Sequence, residues 1–139
     1  AKELYRLINI YKSERLIIKS LGYLSSTEIY EFYNKTFVDI FLNISSYEGI
    51  PMTIMEAQSF GIPVIATDVG GNSEIVNNNV GLLIDSDIDI YKTAERIEIF
   101  IKKNKNQIEL RQNSLDNWNS NFNSNKNSAA FVDFISKII

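Results

Sequence analysis

The spacing of apolar residues changes character along the chain, and each change marks an element. Leu4, Leu7, Ile8 and Tyr11 recur at helical spacing, which predicts an amphipathic first helix. Arg15 to Leu21 then reads as a short strand around Leu16, Ile17 and Ile18, ended by Gly22. Ser25 and Glu28 stand at capping-box spacing, and Ile29, Tyr30, Phe32 and Tyr33 supply an apolar face, so a helix is expected from about Ser26 to Lys35. Val38 to Ile44 is mostly apolar and of a length that suits a buried strand. Met52 to Phe60 follows as a short helix closed by Gly61, which suits the left-handed position after a helix end. Pro63 to Ala66 and Val80 to Ile84 are further buried strands, with room for one helical turn at Glu74 to Asn77 between them. From Asp87 onward the period is helical: Ile90, Tyr91, Ala94, Ile97 and Ile101 share a side, followed by Leu115, Trp118 and Phe122, then Phe131, Phe134, Ile135 and Ile138. Alternating strands and helices predict an α/β domain, a Rossmann-like parallel sheet flanked by helices.

Composition narrows the chemistry. At 139 residues and 45% hydrophobic content the chain is one domain with enough material for a core, and disorder is excluded. Asn104 to Asn127 holds nine asparagines, yet the chain carries 22 isoleucines against six alanines. That bias points to coding composition, and Trp118 and Phe122 need cover, so helices wrapping the domain are expected there. Net charge is −3, which offers no global attraction for nucleic acid or an anionic membrane. With no cysteine and no histidine, thiolate nucleophiles, histidine triads and nearly all zinc sites are excluded. Carboxylates, hydroxyls, amines and backbone amides are left to act. No apolar run is long enough to span a membrane and no leader is visible, so the cytoplasm is the expected compartment.

Five of the six glycines and both prolines fall between residues 49 and 81. In an open parallel sheet ligands bind beyond the carboxyl ends of the strands, and the unusual residues sit at such an end. Gly49 permits close backbone approach, Pro51 suits the first helical position, and the amides of Met52, Thr53 and Ile54 are expected to be unpaired at a helix start, where the dipole favours an anion. Glu48 and Glu56 bracket the turn, and each carboxylate could accept paired hydrogen bonds from a sugar diol. The plainer reading stands beside it: Glu48 as a solvated loop residue and Glu56 as a complement to the helix dipole. Gly70-Gly71 is likewise either an anion-approaching loop or a plain turn. Neither G-x-G-x-x-G nor a P-loop pattern is present.

Taken in order, Glu48-Gly49-Ile50-Pro51-Met52-Thr53-Ile54-Met55-Glu56-Ala57, Gly61 to Gly71, Glu74-Ile75-Val76 and Gly81-Leu82-Leu83 strongly resemble the retaining glycosyltransferases of the GT-B fold, and among these family 4, the glycosyl transferases group 1. The resemblance runs over roughly Leu16 to Leu83. It implies a partial C-terminal domain of a GT-B fold, lacking its first strands and the N-terminal acceptor domain. It also implies that Glu56 holds the ribose hydroxyls of a nucleotide, and that Glu48 lies near the transferred sugar and is tied to catalysis. Gly49, Ile50, Met52 and Thr53 would face the donor sugar and its diphosphate, and Gly22, Tyr23 and Leu24 would lie beside the base. The donor is a nucleotide-diphosphate sugar and the acceptor a glycan or lipid-linked glycan, reached through the protein's own N-terminal domain. No metal or other cofactor is expected, and no nucleic acid. Peripheral association with the inner face of a membrane is implied where the acceptor is lipid-linked.

Three departures from the family pattern stand out. Pro51 replaces a common glycine and removes one amide donor, and Thr53 stands where the motif commonly has proline. The strand pair with its phosphate-clamping Arg and Lys does not precede the helix at the start of the chain, so the 139 residues alone are expected to be inactive. The competing reading is a non-catalytic nucleotide- or partner-binding module of the same fold. An epimerase would want a further acid or base, which histidine often supplies. A glycosidase is disfavoured because both glutamates lie in one loop and helix rather than across a cleft.

Overall fold

The apolar runs around residues 41, 65 and 82 become a three-stranded parallel sheet in the computed structural model of the protein, which describes residues 16–138. Strands β1 (Phe41–Asn43), β2 (Val64–Thr67) and β3 (Gly81–Ile84) lie in the order β1-β2-β3, with Phe41 and Gly81 both opposite Val64. Every residue of β2 is buried, as a central parallel strand covered on both faces requires. The expected α/β architecture is therefore present. β1 is shorter than the predicted Val38 to Ile44, because the chain pairs with β2 only from Phe41 to Asn43.

The chain falls into two units, one ending at Phe32 and one beginning at Tyr33. The predicted helix at Leu4 to Tyr11 lies outside the described residues. In the first unit the predicted strand at Leu16 to Ile18 does not form: Leu16 makes an isolated bridge, and Ile17 is 73% exposed. Helix α1 (Ser26–Lys35) has the predicted bounds and crosses from the first unit into the second. Its start is a capping box in full. Ser25 donates to Glu28 Oε2 from its amide at 2.8 Å and from its hydroxyl at 2.6 Å, and the Glu28 amide points back to Ser25 Oγ at 3.4 Å. These bonds to the charged form hold the Glu28 carboxyl below its ordinary pKa.

The second unit is built around Ile54, Ala57, Ile62, Val64, Ala66, Ile75 and Val76, none more than 1% exposed. Each buried Ile or Val side chain contributes about 1.5–3 kcal/mol over its exposed state. Helix α2 (Met52–Ser59) lies on β1 and β2 and ends at Gly61, whose φ is +63°. The Gly61 amide donates to Gln58 O at 2.9 Å and the Ile62 amide to Ala57 O at 3.1 Å, the paired bonds of a Schellman ending. A single turn, α3 (Asn72–Ile75), links β2 to β3.

Helix α4 (Ile90–Lys103) packs on β3. Of the predicted face only Ile97 lies inward, together with Thr93 and Phe100, while Ile90 is 76% and Tyr91 88% exposed. Arg96 covers the edge of β3, donating to Leu83 O at 2.8 Å and to Asp85 Oδ2 at 3.0 Å. The asparagine-rich stretch folds as expected into α5 (Ile108–Asn121), which packs on α2. There Asn117 donates to Gln58 Oε1 at 2.9 Å and Ile75 O at 3.2 Å, while fully buried Gln58 donates to Ile75 O at 3.3 Å. Arg111 donates to Val38 O at 2.7 Å with its guanidinium 4.5 Å from the Phe37 ring centre. Helix α6 (Ser124–Ser136) forms behind an Asn123 cap but does not wrap the core, since Phe131 and Phe134 are 64% and 60% exposed.

Two turns leave the carboxyl ends of β1 and β2 and meet backbone to backbone. The Gly71 amide donates to Gly49 O at 2.8 Å, and a β carbon on Gly70 would sit 1.8 Å from Glu48 O. Gly70 also has a φ of +52°. Gly70-Gly71 is thus a packing turn, and the Gly71 amide is taken up by the protein rather than left for an anion.

Gly70→Ala is expected to lower stability by at least about 2 kcal/mol in urea denaturation, whereas Gly49→Ala, where a β carbon meets nothing within 4 Å, should change it by less than about 0.5 kcal/mol. The Glu28 cap stabilises α1 while the carboxylate is ionised, so its contribution is lost as the pH falls through a folded pKa that lies below the ordinary value. In NMR titration the Ser25 amide should follow that low pKa, and Glu28→Gln should abolish the transition.

Candidate functional site

Asn43 ends β1 and Thr67 ends β2, so the segments that follow them emerge side by side at the carboxyl edge of the sheet. The Thr67 hydroxyl donates to Ser45 O at 2.6 Å and fixes the first turn to the second strand. Thr67 O in turn accepts from Asn72 Nδ2 at 2.8 Å. Asn72 is fully buried and its Oδ1 has no hydrogen-bond partner among the described residues.

Glu48 is half-buried at this edge. Its Oε1 lies 2.7 Å from the Ser45 hydroxyl and 3.3 Å from Asn43 Nδ2, while no described residue donates to Oε2. Gly49 and Ile50 follow, both exposed. The backbone at Gly49 does not have the positive φ that would demand glycine, and its Cα faces open space.

Pro51 occupies the cap position of α2, with φ −77° and ψ 106°, rather than the first helical position. No side chain caps this helix. Of the three amides expected to be unpaired, that of Ile54 donates back to Pro51 O at 3.2 Å, as a tightened first turn. The amides of Met52 and Thr53 have no acceptor among the described residues, and both residues are exposed. Uncapped N–H groups carry the positive end of the helix dipole, so the start of α2 suits an anion.

Glu56 sits a little over one turn inside α2, half-buried, and among the described residues nothing donates to its carboxylate. Burial first, and the nearby Glu56 carboxylate second, push the Tyr33 phenol above its ordinary pKa, so Tyr33 stays neutral beside it. The Tyr33 ring also packs tilted against Phe60, with ring centres 5.4 Å apart.

The structure thus brings together Glu48, Gly49, Ile50, Met52, Thr53 and Glu56 on one turn and helix start. Gly22, Tyr23 and Leu24 belong to the first unit, where Gly22 has a φ of +70° and Tyr23 is 95% exposed. Asn43, Ser45, Thr67 and Asn72 are the polar residues that sequence reasoning missed. A signal was present: Ser45 and Glu48 repeat the spacing of Ser25 and Glu28. A separate groove of about 360 Å3, bordered by Gly81, Leu82, Arg96, Phe100 and Lys103, lies where β3 begins and shares no residue with this turn. Among the described residues no three His, Cys, Asp or Glu side chains converge as a metal site would need.

Comparison with known proteins identifies the family of the chain. The O-antigen biosynthesis glycosyltransferase WbnH of Escherichia coli is 42% identical over 62 residues, 45% of this chain and 18% of that protein. The UDP-Gal:alpha-D-GlcNAc-diphosphoundecaprenol alpha-1,3-galactosyltransferase of Escherichia coli is 43% identical over 58 residues, 40% of this chain and 15% of that protein. The chain therefore spans less than a fifth of the length of these two curated relatives. Among solved structures, the C-terminal domain of a glycosyl transferase group 1 family protein, LpcC of Francisella tularensis, superposes with a TM-score of 0.69 at 26% identity, over 88% of this chain and 62% of that one. A family model described as glycosyl transferases group 1 matches residues 2–117, and with the parallel sheet and the Glu48 to Glu56 turn in place the chain belongs to that family.

Proposed function

We propose that the chain is part of the C-terminal, donor-binding domain of a retaining family 4 transferase, whose first strands and N-terminal acceptor domain lie outside these residues. In the complete enzyme a sugar passes from a nucleotide-diphosphate sugar to a hydroxyl of a glycan or lipid-linked glycan. The observation that carries this reading is the start of α2: two amides without acceptors among the described residues and no side-chain cap, bracketed by Glu48 with a spare oxygen and Glu56 with a carboxylate that accepts no hydrogen bond from the described residues.

That geometry and the family membership support the following roles. Met52 and Thr53 amides bind a diphosphate oxygen, and open space at Gly49 and the exposed Ile50 leave room for the donor sugar. Glu56 accepts from the ribose diol, where two hydrogen bonds to a charged acceptor contribute about 1.5–3 kcal/mol each. Glu48 Oε2 faces the transferred sugar. The reaction is front-face: the acceptor oxygen bonds to the anomeric carbon as the bond to the diphosphate breaks, and the acceptor proton passes to the departing phosphate oxygen. No side chain has to take that proton, so the scheme does not require histidine. Gly22, Tyr23 and Leu24 are assigned to the base on the motif alone. The donor is a substrate, and no metal or cofactor enters the proposal.

A lipid-linked acceptor, such as the diphosphoundecaprenol-linked sugar named for the galactosyltransferase relative, would place the complete protein at the cytoplasmic face of a membrane. Among the described residues no helix is long and apolar enough to cross one. Without the acceptor domain the 139 residues do not turn over.

In the full-length protein, Glu56→Ala should weaken binding of the cognate nucleotide about tenfold or more by calorimetry, with UDP, GDP and ADP tried in turn. Glu48→Ala should lower kcat far more than it changes that affinity. Wild-type binding and turnover in both variants contradict the assignment, and no binding of any nucleotide by the parent protein favours a non-catalytic module.

A further inference from the structure

We propose that Ser45 and Asn43 are positioning residues that hold one oxygen of the Glu48 carboxylate so that the other is presented to the donor sugar; this rests on the assignment of Glu48 given above. The Ser45 hydroxyl has a single proton and two acceptors at 2.7 Å, Asn43 Oδ1 and Glu48 Oε1, so it lies in a three-centre arrangement. Asn43 closes the triangle by donating from Nδ2 to the same Glu48 oxygen at 3.3 Å. Among the described residues all donors to this carboxylate fall on Oε1, and Oε2 has none.

The triangle stands on rigid ground. Asn43 is only 8% exposed and ends a paired strand, and the Ser45 carbonyl is held by Thr67, itself 1% exposed at the end of the central strand. Asn72, with no exposed surface, holds the Thr67 carbonyl at 2.8 Å. A chain of hydrogen bonds thus runs from the carboxylate through Ser45 and Thr67 to buried Asn72. On the other side of Glu48, Gly49 O is held by the Gly71 amide. The Glu48 side chain and the backbone on both sides of it are therefore fixed before any ligand arrives, which is what a group acting on a reacting bond requires.

The contrast with Ser25 and Glu28 shows what is specific here. At the same spacing, Glu28 accepts from both the amide and the hydroxyl of its serine and serves a helix start. Glu48 accepts from the hydroxyl and from the Asn43 amide group, and no helix begins at Ser45. A serine, an asparagine and a glutamate spent on a loop of this length exceed what the turn itself needs, since Thr67 and Gly71 already secure its backbone.

The test is steady-state kinetics on the full-length protein. Ser45→Ala should lower kcat about tenfold or more while the donor KM and nucleotide affinity stay within about twofold, and Ser45→Thr, which keeps the hydroxyl, should recover most of the loss. Placed on Glu48→Ala, the Ser45→Ala change should cost nothing further, because its effect passes through the carboxylate. Asn43→Ala, which keeps the Ser45 hydroxyl bond to Glu48 and removes only the Nδ2 donor, gives the same kind of kcat loss, smaller in size, if Ser45→Ala does not fold. Full turnover in Ser45→Ala and Asn43→Ala, or an undiminished Ser45 effect without Glu48, overturns the positioning role. If Glu48→Ala itself turns over normally, it is the assignment of Glu48 that fails, and the two failures are told apart.

Discussion

A hydrogen bond between two turns, from the Gly71 amide to the Gly49 carbonyl, forms at 2.8 Å because residues 70 and 71 carry no β carbon. Adding one to either would drive it into the backbone of Glu48 or Gly49, at 1.8 Å and 2.6 Å. The rest of the edge depends on this approach. Parallel pairing of β1 with β2 delivers the two turns to the same end of the sheet, and the glycine contact then sets how far the 45–51 segment can move before α2 begins. Glu48 is placed by that segment, and Met52 and Thr53 present their amides at its far end.

The two glutamates therefore differ in what surrounds them. Glu48 belongs to a turn held from below by Thr67 and from the side by Gly71, with its own carboxylate tied at one oxygen. Glu56 rides on a helix whose other face fills the core through Ile54 and Ala57, and its carboxylate accepts nothing from the described residues. One is tied at one oxygen and the other accepts nothing from the described residues, a difference that motivates the proposed division between a group near the reacting bond and a group that grips the nucleotide. Helix α5 supports the arrangement from behind, since Asn117 and Gln58 lock α2 to the Ile75 carbonyl.

Much of this was legible because short-range chemistry decided it. The Ser25 and Glu28 box, the Gly61 ending of α2 and the fully buried β2, which is shifted by one residue from the predicted Pro63 to Ala66, depend on neighbours within a few residues, and each formed at or next to the place the pattern gave it. The clustering of Glu48, Gly49, Met52, Thr53 and Glu56 was legible for the same reason. Other features depend on partners far along the chain. Thr67 and Asn72 read as ordinary turn residues until β2 sets them against Ser45. The inner face of α4 was misplaced by about one position: Ile97 lies inward as expected, but Thr93 and Phe100 share its side rather than Ala94 and Ile101, because packing against β3 and not isoleucine content decides which side is covered. The Leu16 to Ile18 run had the composition of a strand, but no continuing ladder forms beyond Leu16.

Hydrogen–deuterium exchange on the full-length protein, with and without UDP, GDP and ADP, tests the central claim most directly, because it reports on the backbone amides that are said to bind. The account predicts that the cognate nucleotide protects the stretch from Tyr47 to Ala57, with Met52 and Thr53 at its centre, while the groove between β3 and α4 is unchanged. Binding without protection of that stretch, or protection confined to the α4 groove, would contradict it.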